Sequence, residues 1–188
     1  GIYHWKAKTI ENAVIDSLAM NLNDLALVGA TAYKLQNHIF LPKADHEIIL
    51  RIVEKLAIEC RKRKIAMTGG ETSIHNDSKG LDISITVSGF IKNEKKNKFE
   101  TGDVLIGIAS SGLHSNGFTL VRKIFGDKVR KEFVKPTLVY SDLLLKLLEK
   151  YNIHGMMHIT GGAFTKLKDL LERQDIIISN AHSLKPQK

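Results

Sequence analysis

Strand, glycine-bracketed polar loop, helix: that order constrains this chain more than any other feature. Val104-Leu105-Ile106-Gly107-Ile108-Ala109 is an apolar run of strand type, followed by Gly112-Leu113-His114-Ser115-Asn116-Gly117 and a helical pattern over 118–125. A loop so placed presents Ser111, His114, Ser115 and Asn116 at a sheet edge, where a rigid scaffold can aim them at a ligand. A solvated turn has the same glycine punctuation. Recurrence argues for a shared site, because Thr68-Gly69-Gly70-Glu71-Thr72 and Thr160-Gly161-Gly162 occupy similar positions.

The rest of the chain alternates between helical and strand periods. Ile10, Val14, Leu18, Leu22 and Leu25 predict a helix over 9–28, closed by Gly29. Alternation of Tyr33, Leu35, Ile39 and Leu41 with polar neighbours predicts a strand ending at Pro42. Asp45 is placed to cap a helix with Ile48, Ile49, Ile52, Val53, Leu56 and Cys60 on its apolar face. Ile65-Ala66-Met67 reads as a short buried strand delivering the 68–72 loop, and Ile83, Ile85 and Val87 mark another strand that reaches Phe90 and Ile91. Beyond the 104–109 strand, helices are expected at 117–125, 140–150 and 163–174, then a strand at 176–179. The expected class is α/β (α+β) with mixed sheets, and the lysine-rich turn at 93–98 divides it into domains 1–98 and 99–188.

Composition excludes several classes. The 188 residues are 43% hydrophobic, enough to bury a core, and contain no charged-then-apolar leader and no run near the roughly 18 residues of a membrane span. Cys60 is the only cysteine, which rules out an internal disulfide or a thiolate metal cluster and fits the cytoplasm. The net charge of +8 collects at Arg61-Lys62-Arg63-Lys64, where cations complement a helix end, and in the 93–98 turn. Neither run has interleaved aromatics, so the charge suits phosphorylated metabolites better than a single-stranded nucleic acid.

Two carboxylates stand out. Asp24, beside Asn23, falls on the polar side of the first long helix, and Glu71 lies between glycine and threonine after a strand. Carboxylates from separate elements beside close-approach glycines suit Mg²⁺ bridging nucleotide phosphates. The same positions equally suit a helix-surface residue and a loop charge.

In order along the chain, Asn23-Asp24, Thr68-Gly69-Gly70-Glu71-Thr72, Thr101-Gly102-Asp103-Val104-Leu105-Ile106, Gly112-Leu113-His114-Ser115-Asn116-Gly117-Phe118, Leu120-Val121-Arg122-Lys123 and His158-Ile159-Thr160-Gly161-Gly162 resemble the aminoimidazole ribonucleotide synthetases, the phosphoribosylformylglycinamidine cyclo-ligases. The Asn-Asp and Gly-Gly-Glu elements are shared with a wider superfamily that includes thiamine-monophosphate kinase and selenophosphate synthetase. The His-Ser-Asn-Gly loop with Leu-Val-Arg-Lys is specific to the cyclo-ligases.

That resemblance implies a two-domain homodimer using ATP and Mg²⁺ to close the imidazole ring of formylglycinamidine ribonucleotide. It implies metal and phosphate contacts at Asn23, Asp24, Gly69, Gly70, Glu71 and Thr72, with Asp24 and Glu71 as metal ligands. It implies substrate contacts at Ser111, Ser115, Asn116, Gly117, Thr160, Gly161 and Gly162, and a catalytic role for His114. Dimerisation would use the strands at 33–41 and 83–91. The family's Asp-Gly-Val-Gly-Thr-Lys loop is absent, and so are an initiating methionine and the second half of the second domain, so a fragment truncated at both ends is expected. Pro136-Thr137-Leu138-Val139-Tyr140 lacks the family's arginine, and Gly29-Ala30-Thr31-Ala32 replaces Gly-Ala-Glu-Pro. The alternatives are a small-molecule kinase of the same superfamily, thiamine-monophosphate kinase-like, and a catalytically idle fragment or subunit.

Overall fold

Ile10, Val14, Leu18 and Leu22 recur every four residues, so a helix gathers them into one stripe, and all four are buried. In the computed structural model, which describes residues 1–94, 96–171 and 175–178, this is the 18-residue helix α2, Ile10–Leu27. A short helix α1, Ile2–Ala7, precedes it. Gly29 ends α2 in the left-handed region at φ 71°, its amide donating to Ala26 O at 3.0 Å.

Strand β1, Ala30–Leu41, follows and is the centre of a three-stranded sheet. Helix α3, His46–Arg63, then crosses over so that β2, Ala66–Ile74, can pair parallel with β1. Strand β3, Asp82–Ile91, pairs antiparallel on the other side, completing the order β2-β1-β3. Asp45 caps α3 as expected, its Oδ1 accepting from Ile48 N at 3.1 Å. At the other end Lys64 takes a left-handed turn after Arg61, Lys62 and Arg63, cations that suit the negative end of the helix dipole, and Arg63 donates to Glu59 O at 3.2 Å.

One face of the sheet is covered. Leu35, Ile39 and Leu41 of β1 pack with Leu18 and Leu22 of α2, Ile52 and Leu56 of α3, and Ile83 of β3. Full burial of a side chain of this kind stabilises by about 1.5–3 kcal/mol, so this cluster dominates the fold. Cys60 joins it as a small core residue, and burial pushes its thiol up despite the opposing charge of Arg63. The other face carries Tyr33 against Phe90, with ring centroids 6.3 Å apart, and Phe40 against His75 at 5.3 Å. Tyr33 and Phe90 remain 45% and 44% exposed.

The second half of the chain adds helices α4, Phe118–Phe125, and α5, Ser141–Lys150, and 3₁₀ turns at Lys131–Val134 and Ala163–Leu170. Tyr3, Val121, Phe133 and Val134 make a second small cluster that ties α4 to α1. Three expectations change here. Residues 104–109 do not form a strand: Val104 and Ile106 are 83% and 86% exposed, and among the described residues no neighbour supplies a ladder. Residues 176–178 likewise have no regular structure, and Ser179 lies outside the described residues, as do positions 172–174 of the expected last helix. Lastly, 68–72 is not a loop but the middle of β2; Ile65 is buried, while Ala66 and Met67 are exposed.

Candidate active site

The two halves of the chain meet along one side of α2. Asp16 and Asn23 are seven residues apart, two helical turns, and so point the same way. Both grip the segment 137–140. Asp16 Oδ1 accepts from the amide of Thr137 at 2.7 Å and from its hydroxyl at 2.8 Å. Asn23 donates to Leu138 O at 3.0 Å and accepts from Tyr140 N at 2.7 Å. Asn23 lies 1% exposed on the buried side of the helix, with the oxygen and one N–H of its amide engaged in this grip.

The other oxygen of Asp16, Oδ2, faces His4 Nε2 at 2.8 Å, and His4 Nδ1 faces Thr9 Oγ1 at 2.9 Å. Burial alone would raise the Asp16 carboxyl. The hydrogen bonds from His4 and from Thr137, with the charge of His4, outweigh that and hold it below the ordinary range. Thr137 Oγ1 is also 3.1 Å from Ser115 Oγ. A polar chain therefore runs from His4 through Asp16 and Thr137 to the glycine-bracketed loop. It borders a cavity of about 470 Å³ whose lining includes Asp16, Asn21, Ser84, Ser115, Phe118 and Arg122.

Within the loop, His114 adopts the left-handed backbone at φ 53°, rare for a residue with a Cβ, and Gly117 does so at 77° as it caps α4. The turn folds the imidazole back on its own loop, where Nε2 lies 3.0 Å from Ser111 N and 3.0 Å from Ser111 Oγ. Ser111 Oγ donates to Pro136 O at 2.8 Å, and Tyr140 stands with its ring 6.2 Å from the imidazole. Burial, then the positive charge of His158, lowers the His114 pKa, against a smaller opposing effect from Asp16. His158 in turn meets Asp24, Nδ1 to Oδ1 at 3.0 Å, so the front of α2 and the His114 loop share one electrostatic neighbourhood.

Of the residues expected at a site, the fold joins Ser115 to α2 through Thr137 and Asp16, ties Ser111 to His114, and pairs Asp24 with His158. Asn116 and Gly117 follow in the same loop. Thr160 accepts from Lys166 at 3.0 Å, and Gly161 and Gly162 form the turn into the 3₁₀ segment, Gly162 at φ 84°. Glu71 stands apart from this gathering in its bonding: it lies opposite His38 in the sheet, and its Oε1 accepts from Thr72 N at 3.1 Å. Among the described residues no three His, Cys, Asp or Glu side chains converge as a metal site. The glycines have unequal roles. A Cβ on Gly70 would come within 2.7 Å of the Asn37 amide, whereas one on Gly69 would meet only Gln36 at 3.8 Å.

The residues missed from sequence are His4, Asp16 and Thr137, and the pairing of His158, itself part of the 158–162 motif, with Asp24. Asp16 had a readable signal, a carboxylate on the same helical face as Asn23. The others act through contacts across 12 to 134 positions of chain, and no local pattern carries those.

Two family models match, the N-terminal domain of AIR synthase related proteins over residues 4–91 and the C-terminal domain over 100–179. The chain belongs to the AIR synthase related protein family. Among curated relatives it is similar to a phosphoribosylformylglycinamidine cyclo-ligase of Thermococcus kodakarensis, 37% identical over 171 residues that are 83% of this chain and 51% of that protein. A Clostridium botulinum protein of the same name is 38% identical over 175 residues, 85% of this chain and 53% of the relative. The chain thus spans about half the length of the curated relatives it matches. In fold it is similar to the hydrogenase maturation protein HypE of E. coli, with TM-score 0.57, 18% identity, and 82% and 49% of the two chains covered. A second HypE structure has TM-score 0.58 at 19% identity, covering 79% and 48%. These likenesses bear out the mixed α/β class and the family resemblance.

Proposed function

We propose that the protein containing this chain is an ATP-dependent cyclo-ligase that converts formylglycinamidine ribonucleotide to aminoimidazole ribonucleotide in purine biosynthesis. The observation that carries the reading is the His114 loop, held against the Thr137 segment and α2, in a chain 37% identical to a protein of that name. ATP would transfer its terminal phosphoryl group to the formyl-derived amide oxygen. The neighbouring amidine nitrogen would attack that carbon, and the C–O bond would break with release of phosphate. Phosphorylation is what makes the oxygen a competent leaving group.

The chain's own residues supply position and charge. His114 donates a hydrogen bond near the reacting oxygen, and Ser111, Ser115, Asn116 and Gly117, with Thr160, Gly161 and Gly162, shape the substrate pocket. Asp24 is 62% exposed at its side chain and Glu71 is exposed, so both carboxylates are open to a hard cation that keeps waters and phosphate oxygens as its other ligands. Magnesium, when bound, would neutralise charge on the transferring phosphoryl group. β2 is an edge strand, so backbone groups around Gly69, Gly70 and Thr72 are free to meet phosphates.

We read residues 1–98 and 99–188 as parts of two domains of a cytoplasmic homodimer. The aromatic face of the sheet, with Tyr33 and Phe90 half exposed, supports pairing through β1 and β3. No described helix is long and apolar enough to cross a membrane. ATP turnover by the complete protein should depend on formylglycinamidine ribonucleotide. Turnover that requires thiamine monophosphate instead would refute the assignment.

A further inference from the structure

The amide of Ser111 decides which nitrogen of His114 carries its proton. That N–H points at His114 Nε2 over 3.0 Å, and its direction is set by the peptide plane. A proton on Nε2 would meet the amide proton head-on. The hydroxyl of Ser111, also 3.0 Å from Nε2, imposes no such demand, because it rotates and already has Pro136 O at 2.8 Å as an acceptor. The amide therefore governs, and Nε2 must offer its lone pair. In neutral imidazole the proton then sits on Nδ1. Nδ1 has no hydrogen-bond partner among the described residues, and it is not among the buried atoms left without one, so it is open to solvent.

We infer that His114 is a neutral, fixed hydrogen-bond donor through Nδ1–H, held in that tautomer by Ser111 N–H, and that it binds an acceptor oxygen of the ligand rather than transferring a proton to it. Ser111 is the positioning residue, acting through its backbone. The ligand class is a carbonyl, phosphorylated amide or phosphoryl oxygen. What is bound rests on the cyclo-ligase reading; the tautomer rests on the loop alone.

The surroundings favour the same state. Protonating His114 would set a second N–H against the Ser111 amide, and burial and the positive charge of His158 oppose it further. Of the groups facing the ring, only Asp16 pulls the other way, and Tyr140 is committed through its hydroxyl to Ala109 O at 2.7 Å, its own pKa raised by burial. The left-handed backbone at φ 53° also selects the informative substitution. Asparagine tolerates that conformation better than other residues with a Cβ, and its side-chain NH₂ lies near the position of Nδ1–H. It can donate but cannot exchange a proton near neutrality.

The test has two arms. Long-range proton–nitrogen correlation on ¹⁵N-labelled protein without ligand, at about pH 8 where an ordinary histidine is neutral, reads the tautomer. His114→Asn assigns the resonance among the eight histidines. The expected pattern has the proton on Nδ1, with the ring titrating below the ordinary histidine range. In the complete enzyme His114→Ala should lower turnover by roughly 10²–10³-fold, as loss of one oriented donor does. His114→Asn should stay within roughly tenfold of the parent. A proton on Nε2 would overturn the inference, as would an asparagine variant that folds but is no better than alanine. The tautomer is read without substrate, so it decides the inference even if the protein proves to have another activity.

Discussion

Replacing Asp16 with alanine should cost the chain a large part of its stability, and the magnitude follows from what the carboxylate holds. Three donors lose their acceptor: Thr137 N at 2.7 Å, Thr137 Oγ1 at 2.8 Å and His4 Nε2 at 2.8 Å. Thr137 is 2% exposed and His4 5%, so both donors are buried where the acceptor is lost. The threonine hydroxyl can turn toward Ser115 Oγ at 3.1 Å, which leaves two orphaned donors, the Thr137 amide and the His4 ring. At about 1–3 kcal/mol for each buried unsatisfied group, the expected loss is about 2–6 kcal/mol. Asp16→Asn keeps one oxygen for Thr137 and should cost about 1 kcal/mol. Urea unfolding followed through the single tryptophan, Trp5, gives both values.

Acid supplies a second readout of the same residue. The Asp16 carboxyl is depressed in the fold, so its contribution is present above the ordinary aspartate pKa and is lost as pH falls through the folded value. The asparagine variant should lack that part of the acid slope. A loss below about 1 kcal/mol for Asp16→Ala, with the parent's acid slope intact, would refute the account of how the two halves are joined.

Three further outcomes follow from the geometry. Gly70→Ala should destabilise by about 1 kcal/mol, because its Cβ, 2.7 Å from the Asn37 amide, must push that side chain aside, while Gly69→Ala should be nearly neutral; equal melting temperatures would contradict this. Asp24→Asn and Glu71→Gln should each weaken magnesium-dependent nucleotide binding at least about tenfold, the loss of roughly one charge-assisted contact of 1.5 kcal/mol, with unfolding midpoints near the parent's. Parental affinity for both variants in calorimetry would remove these carboxylates from the site. Because burial raises the Cys60 thiol, it should resist a thiol reagent at about pH 8 in folded protein and react on unfolding. Rapid labelling of the native chain would mean that the α3 core is open.

The elements legible in sequence are those whose signals are local. α2 and α3 declare themselves by apolar stripes and by Asp45 and Gly29 at their ends, and β1 by alternation. What misled was glycine. Gly69 and Gly70 suggest a turn, yet they sit inside β2, where a Cβ on Gly70 would meet the end of the Asn37 side chain across the strands. Apolar character misled too, because Val104 and Ile106 suit a strand but a strand exists only with a partner. In the candidate site, the closeness of His114 to Ser111 is readable from their shared loop. The clamp that Asn23 puts on Leu138 and Tyr140 is not, since it spans 115 and 117 positions of chain and depends on packing.

The fate of phosphate tests the central proposal most directly. The complete protein, given magnesium, ATP labelled at its terminal phosphoryl group, and formylglycinamidine ribonucleotide, should release the label as free inorganic phosphate in step with aminoimidazole ribonucleotide. Label that stays on an organic product would contradict ring closure and mark the protein as a kinase.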